Sequence, residues 1–239
     1  MASQAQCTFR RTANSVHLFV RFAFIRGEDP QLTTAKHNGT ANVLLAQMKY
    51  LTVLRHAKSS WDHPGLNDHD RPLNERGKLA AAAVCSFLQK TYFGGSGQEA
   101  LMTRPECIIS SSAIRTLTTA LFARDAFGLA PTDLILDSRL YLAASDTILT
   151  VTRDVEEAKK HVVFVGHNPG LHEFCDRMLA RAGVPRMPTC TAVIMGLPHE
   201  YWGLADWQEA QLISYITPKA LARRFPLEFS SISKPMDDD

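Results

Sequence analysis

Apolar positions along the chain fall into two alternating patterns. Short continuous apolar runs bounded by polar residues lie at Tyr50 to Arg55, "ECIIS" (106–110), "LILD" (134–137), "HVVFVG" (161–166), "CTAVIMGL" (190–197) and "AQLISYI" (210–216), and they read as strands, the first of them buried. Between them lie stretches of helical character. The Ala-rich "NERGKLAAAAVCSFLQK" starts at Asn74, a good N-cap. "SAIRTLTTALFARDAF" (112–127), "DTILTVTRDVEEA" (146–158) and "PGLHEFCDRMLARA", with Pro169 at a first helical turn, follow the same pattern. Strands alternating with helices predict an α/β fold, a three-layer α/β/α sandwich around a mostly parallel central sheet.

Two segments stand outside this pattern. "FGGSGQEALMTRP" (93–105) is Gly-rich and reads as a surface loop. Residues 1–48 carry Arg10, Arg11, Arg21, Arg26 and Lys36 against only Glu28 and Asp29, without sustained periodicity. Such a basic leader is either an organelle transit peptide or an over-extended gene model, with Met48 a good true start. The expected organisation is a leader at 1–48, one catalytic-size domain at 49–225 and a tail at 226–239. The address follows from the leader: cytoplasmic if translation starts at Met48, chloroplast or mitochondrion if the leader is real.

Composition narrows the class. With 239 residues, 45% of them hydrophobic, the chain can bury a substantial core. A net charge of +2 is too small to call for nucleic acid or an anionic membrane surface. No apolar run approaches the ~18 residues of a spanning helix. The five cysteines are scattered with no CxxC pair, which points to neither a disulfide framework nor a zinc site. The nine histidines show no metal-binding spacing, so neither a metal nor a cofactor is expected.

Candidate chemistry gathers where strands end. In open α/β sheets ligands collect at the carboxyl ends of strands, beside helix N-termini. Three strands here end in Arg55-His56, in Ser110 to Arg115, and in Gly166-His167-Asn168. Taken singly, each fragment has a bland reading: a strand-end histidine, a solvated helix arginine, a turn into a helix. Asp62, Asp68 and Asp70 read as loop caps, and His63, His69, His161, His172 and His199 as surface or satisfied polar residues. Taken together, Arg55, His56, Arg115 and His167 would share one rim of the sheet. Two guanidinium forks, two imidazoles and several helix N-terminal amides suit a tetrahedral phosphate.

The motifs "LRHAKSSW", "DHDRPLNERG", "SSAIRT", "LYLA", "VGHNPGL" and "ITPKAL" together resemble the histidine phosphatase (phosphoglycerate mutase-like) superfamily, and within it the SixA-like phosphohistidine phosphatase branch. The resemblance spans roughly Met48 to Leu221. It implies that His56 is a nucleophile that becomes phosphorylated, and that Arg55, Arg115 and His167 bind the phosphoryl oxygens. Ser60 and Asn168 are candidate substrate-binding residues, although Asn168 stands where acid-phosphatase members often carry an Asp proton donor. Tyr141 follows "RL" where mutases and many phosphatases carry a Glu. The family's usual general acid is therefore missing at both places, leaving Asp62, Asp68 or Asp70 as candidate proton donors from the loop.

The resemblance implies a metal-independent phosphatase acting through a phosphohistidine intermediate on His56. A missing acid tilts the expected substrate towards a P–N bond, because an alkoxide gains typically ~10²- to 10⁴-fold from protonation and an imidazole needs far less. The expected partner is a phosphorylated protein bearing phosphohistidine, or a small phosphorylated metabolite. The alternatives are a phosphomonoesterase of the same superfamily and a phospho-ligand-binding module without turnover.

Overall fold

The apolar run at Tyr50 becomes β1 (Lys49–Arg55), and it lies inside the sheet with a hydrogen-bonded neighbour on each side. The computed structural model describes residues 48–62, 64–94, 100–179, 183–226, 228–229 and 232. The leader expected at 1–48, apart from Met48, lies outside the described residues. So do His63, residues 95–99 of the Gly-rich loop, and most of the tail. Among the described residues the remaining strands are β2 (Cys107–Ser110), β3 (Leu134–Leu136), β4 (His161–Gly166), β5 (Ala192–Leu197) and β6 (Gln211–Ile216). The helices are α1 (Glu75–Thr91), α2 (Ile114–Phe127), α3 (Ser145–Arg153), α4 (Gly170–Met178) and α5 (Pro218–Arg224).

The sheet order is β3-β2-β4-β1-β5-β6. The pairs from β3 through β1 are parallel, whereas β5 is antiparallel to both β1 and β6. β5 is therefore the one described strand running against the others, and the sheet is mostly parallel as expected. Alternate residues of each strand feed two separate cores, as the two-residue period of a strand dictates. Leu51, Val53, Val162, Phe164, Val193 and Met195 pack with Ile148, Leu149, Phe174 and Met178 of α3 and α4. Leu54, Val163, Val165, Ala192 and Ile194 pack with Val84, Leu88, Ala120, Phe127 and Leu221 of α1, α2 and α5. Helices on both faces of one sheet make the three-layer α/β/α sandwich.

This order contains a reversal. The connection from β1 to β2 passes β4 in one direction, and the connection from β4 to β5 passes β1 in the other. α1, which follows β1, packs on one face, and α4, which follows β4, packs on the opposite face. The crevice between the carboxyl ends of β1 and β4 is thus a topological switch point, where such sheets bind ligands.

Local signals explain most boundaries. The Asn74 side chain accepts a hydrogen bond from the Gly77 amide and starts α1. Two helices stop earlier than their periodicity predicts. α3 ends at Arg153 rather than 158, because the Glu157 carboxylate turns aside to accept the Trp202 and Gly203 amides at 2.7 and 3.1 Å. α4 ends at Met178, whose carbonyl accepts from the Ala210 amide at 2.9 Å while Leu179 bridges to Ala210. The "ITPK" stretch yields α5, a helix that the periodicity did not separate from β6. Its Thr217 cap and Pro218 at the first position are ordinary helix-start signals on a short segment.

Two motif glycines permit close backbone approach. A Cβ built on Gly77 would collide with the Lys58 carbonyl oxygen, and one on Gly170 with that of Ala143. Backbone cannot step aside cheaply, so Gly77→Ala and Gly170→Ala are each expected to lower stability by about 1–3 kcal/mol or more. Gly65 has no heavy atom within 4 Å of a built Cβ. Gly65→Ala should therefore stay within about 0.5 kcal/mol of wild type in urea melts. Equal melting of all three variants would contradict this packing.

Candidate active site

The switch-point crevice brings Arg55, His56, Arg115 and His167 together. Parallel pairing sets Arg55 opposite Gly166, and the His56 amide donates to the Gly166 carbonyl at 3.0 Å. The next residue on each chain is a histidine, and the two imidazole centroids lie 5.2 Å apart. Arg115 enters from the first turn of α2, which follows β2 on the other side of β4. Thr119 of α2 donates to the Arg115 carbonyl at 2.7 Å and accepts from the Ala57 amide at 3.1 Å, tying α2 to the segment after His56.

His56 is 8% exposed, and its Nδ1 lies 2.7 Å from the Ala57 carbonyl. A carbonyl only accepts, so Nδ1 carries the proton and Nε2 keeps its lone pair. Burial pushes the His56 pKa down to about 4; the Ala57 carbonyl opposes this, while the Arg55 and Arg115 charges add to it. His167 pairs through Nε2 with the Ser111 hydroxyl at 2.8 Å. Burial pushes its pKa down to about 3, helped by His56 and Arg115. Both imidazoles are therefore neutral at ordinary pH, and the positive charge resides on arginines.

Buried polar atoms without a protein partner are concentrated here. Among the described residues they are Arg55 Nε, His167 Nδ1, Asn168 Oδ1 and, away from the crevice, Gln89 Oε1. Such atoms are rare in folded proteins because each carries a desolvation penalty. Arg55 donates through Nη1 to the Met187 carbonyl at 2.7 Å, and Asn168 Nδ2 donates to the same carbonyl at 3.0 Å. Burial, then the nearby Arg186, lowers the Arg55 pKa from its usual very high value.

The loop from residue 57 to 74 closes one side. Arg71 braces it, donating to the Ser60 carbonyl at 3.2 Å and the Ser59 hydroxyl at 3.1 Å, with its guanidinium 3.2 Å from the Trp61 ring centroid. The candidate loop residues do not converge on one point. Ser60 donates to Asp62 Oδ2 at 2.6 Å, which turns both groups towards each other. Asp70 faces His69, whose Nδ1 is 3.2 Å away. Asp68 reaches the crevice: Arg115 Nη2 donates to its Oδ2 at 2.8 Å, Arg115 Nη1 to its main-chain oxygen, and the Tyr141 hydroxyl to Oδ2 at 2.9 Å. Partial burial pushes the Asp68 carboxyl up, but the Arg115 and Tyr141 hydrogen bonds outweigh it and hold it below the usual range.

The bland readings of the other described histidines agree with their contacts. His161 is buried between Thr52 and the Thr103 carbonyl, His172 meets the Val184 carbonyl at 3.1 Å, and His199 meets Glu209 at 2.6 Å. His69 bridges Asp70 and Ser112. Sequence reasoning assigned no role to Ser111 or Tyr141. Ser111 orients His167, and Tyr141 sets its ring edge-on to His167 with centroids 5.5 Å apart. The signals for Tyr141 were the "LYLA" motif and the replacement of Glu by Tyr after "RL". Among the described residues no three His, Cys, Asp or Glu side chains gather as a metal site requires.

No protein-family model matches the chain. A provisionally named phosphohistidine phosphatase SixA from Agrobacterium tumefaciens superimposes with TM-score 0.56 at 27% identity, covering 71% of this chain and 98% of that one. A second of that provisional name, from Nakamurella multipartitia, superimposes with TM-score 0.59 at 21% identity, covering 71% and 96%. An uncharacterised chloroplastic protein of Arabidopsis thaliana is 29% identical over 177 residues, 69% of this chain and 71% of that protein. The chain has the histidine phosphatase, phosphoglycerate mutase-like fold. Both solved structures it resembles carry the SixA name.

The depressed histidine values carry a stability consequence. Between the ordinary 6.5 and folded values of about 4 for His56 and for the buried His161, and about 3 for His167, the unfolded chain binds more protons than the folded one. Stability should therefore be flat above about pH 6.5 and fall as pH drops from there towards 4. Urea melts between pH 5 and 7.5 check the sign, and His167→Asn should make the slope shallower. Rising stability over that descent would contradict the buried, neutral pair.

Proposed function

We propose that the protein is a histidine-nucleophile phosphatase that removes a phosphoryl group from phosphohistidine, by way of a covalent intermediate on His56. The observation that carries this reading is the state of His56: neutral, with Nδ1–H fixed on the Ala57 carbonyl and the Nε2 lone pair free, beside the unpartnered Arg55 Nε and His167 Nδ1. Nε2 attacks phosphorus in line and the bond from phosphorus to the leaving nitrogen breaks. The leaving imidazole takes its proton from solvent. Water then attacks the phosphoenzyme, releasing inorganic phosphate and returning neutral His56. Arg55, Arg115 and His167 stabilise the charge on the equatorial oxygens, which is most of what phosphoryl transfer demands.

Substrate class follows from what the site lacks. Asp68 is held ionised by Arg115 and Tyr141, and Asn168 spends its amide on the Met187 carbonyl. Neither is disposed to protonate an alkoxide, which supports a P–N bond over a simple phosphomonoester. The names of the two structural neighbours point the same way. The partner would then be a phosphohistidine-bearing protein. The guanidinium groups supply the charge neutralisation that other phosphatases draw from metal ions.

His56→Ala should abolish turnover, and acid-quenched wild type should carry label on His56 after brief exposure to a labelled phosphoramidate. Label on Ser or Asp would sink the scheme. Phosphohistidine protein should exceed a sugar-phosphate panel in kcat/KM; the reverse ranking would favour the phosphomonoesterase. Binding without label or product would leave a ligand-binding module.

Residues 1–48 would act as a plastid address, a reading supported by the chloroplastic description of the Arabidopsis relative and by the basic, acid-poor leader. N-terminal sequencing of the native protein should then find a start near residue 48 in plastid fractions. An intact residue 1 in the mature plastid protein would defeat it.

A further inference from the structure

Asp68 binds three donors from three separate elements. Arg115 on α2 donates to both its main-chain oxygen and Oδ2, Tyr141 after β3 donates to Oδ2, and Arg71 in its own loop donates to Oδ1 at 3.3 Å. Each carboxylate oxygen thus faces a guanidinium N–H. A proton on either oxygen would have to displace a charge-assisted hydrogen bond. Arg115, in turn, has both terminal nitrogens engaged by this one residue, which fixes the plane of its guanidinium. Tyr141 links the cluster to His167 through its ring. The Asp68 side chain is 49% exposed, so packing does not require it there.

We infer that Asp68 is the positioning residue of this site: as an ionised carboxylate it fixes the Arg115 guanidinium for the phosphoryl oxygens, and it does not protonate the leaving group. This rests on the phosphoryl-transfer reading above. Tyr141 is the second support, holding Asp68 and the His167 ring in one arrangement. A tethered carboxylate keeps the arginine aimed without neutralising it completely, because the carboxylate also divides its charge between Arg71 and Tyr141. Free rotation of a long guanidinium arm would misplace its donors, and misplacement near 1 Å reduces rates by about 10²-fold.

The test is a mutant cycle. Asp68→Asn should lower kcat by about tenfold to a hundredfold with KM moving less than about threefold. The factor should be the same for a phosphoramidate, an aryl phosphate and an alkyl phosphate, and the pH profile should keep its limbs. Tyr141→Phe should lose less than about fivefold, as one of three donors to Asp68. With Arg115→Ala already present, Asp68→Asn should change nothing further, read as single turnovers over hours so that slow variants still register.

A loss that grows with leaving-group basicity, together with disappearance of the basic limb, would make Asp68 a proton donor and overturn the inference. An equal loss with and without Arg115 would reduce Asp68 to loop packing and overturn it too. Tungstate binding to His56→Ala protein separates this inference from the catalytic reading, because it needs no turnover. There Asp68→Asn should shift Kd at least about threefold when Arg115 is present and leave it unmoved when Arg115 is absent; an Arg115-independent shift, or none in either background, would also overturn the inference.

Discussion

The pairing of β1 with β4 at their carboxyl ends is the constraint on which the rest of the site depends. Arg55 opposite Gly166 delivers His56 and His167 as successive neighbours leaving the sheet. A slip of one residue would exchange the faces of every β1 side chain, sending Leu54 to the wrong core and moving His56 off the rim. The two cores oppose such a slip, because Leu51 and Val53 belong to one and Leu54 to the other. The register that buries the strand therefore also sets the imidazole separation.

Around that pair the site separates fixed charge from titratable charge. Burial keeps His56 and His167 neutral, so in the proposed cycle their nitrogens act as a nucleophile and a hydrogen-bonding partner. The positive field comes from guanidinium groups, which cannot lose their protons at ordinary pH. A pocket built this way keeps its attraction for phosphate without protonating the atom that must attack. The carboxylate at its edge is already committed to Arg115, Arg71 and Tyr141.

The sequence made the strands and the gathering of the four principal candidate residues legible for one reason: each sits beside a local signal. Arg55 and His56 end an apolar run, His167 ends another, and Arg115 opens a helix after a third. The helix ends at Arg153 and Met178 were not legible, because distant partners set them: Trp202 recruits Glu157, and Ala210 recruits the Met178 carbonyl. The same applies to Asp68. Its sequence says loop, and its meaning comes from Arg115 and Tyr141, 47 and 73 residues away. "KSSW" and "DHDRPLNERG" were visible as motifs, yet only the fold explains them as one braced unit: Arg71 stacks on Trp61, the Asn74 main-chain N–H donates to the Lys58 carbonyl, and Gly77 packs beneath that carbonyl.

The second half of the proposed cycle suits an imidazole leaving group. It expels neutral His56 from phosphorus as water attacks, and the leaving atom there is a histidine nitrogen. A site that completes this half without a positioned acid is already competent to expel an imidazole. The first half poses the same problem in the other direction when the substrate is phosphohistidine, since phosphorus then moves between two like nitrogens. An alkyl phosphate breaks that symmetry, because the expelled alkoxide is far more basic and forgoes the ~10²- to 10⁴-fold help of a general acid. In the proposed cycle, retaining Arg55, Arg115 and His167 while holding Asp68 as a carboxylate suits P–N transfer better than ester cleavage.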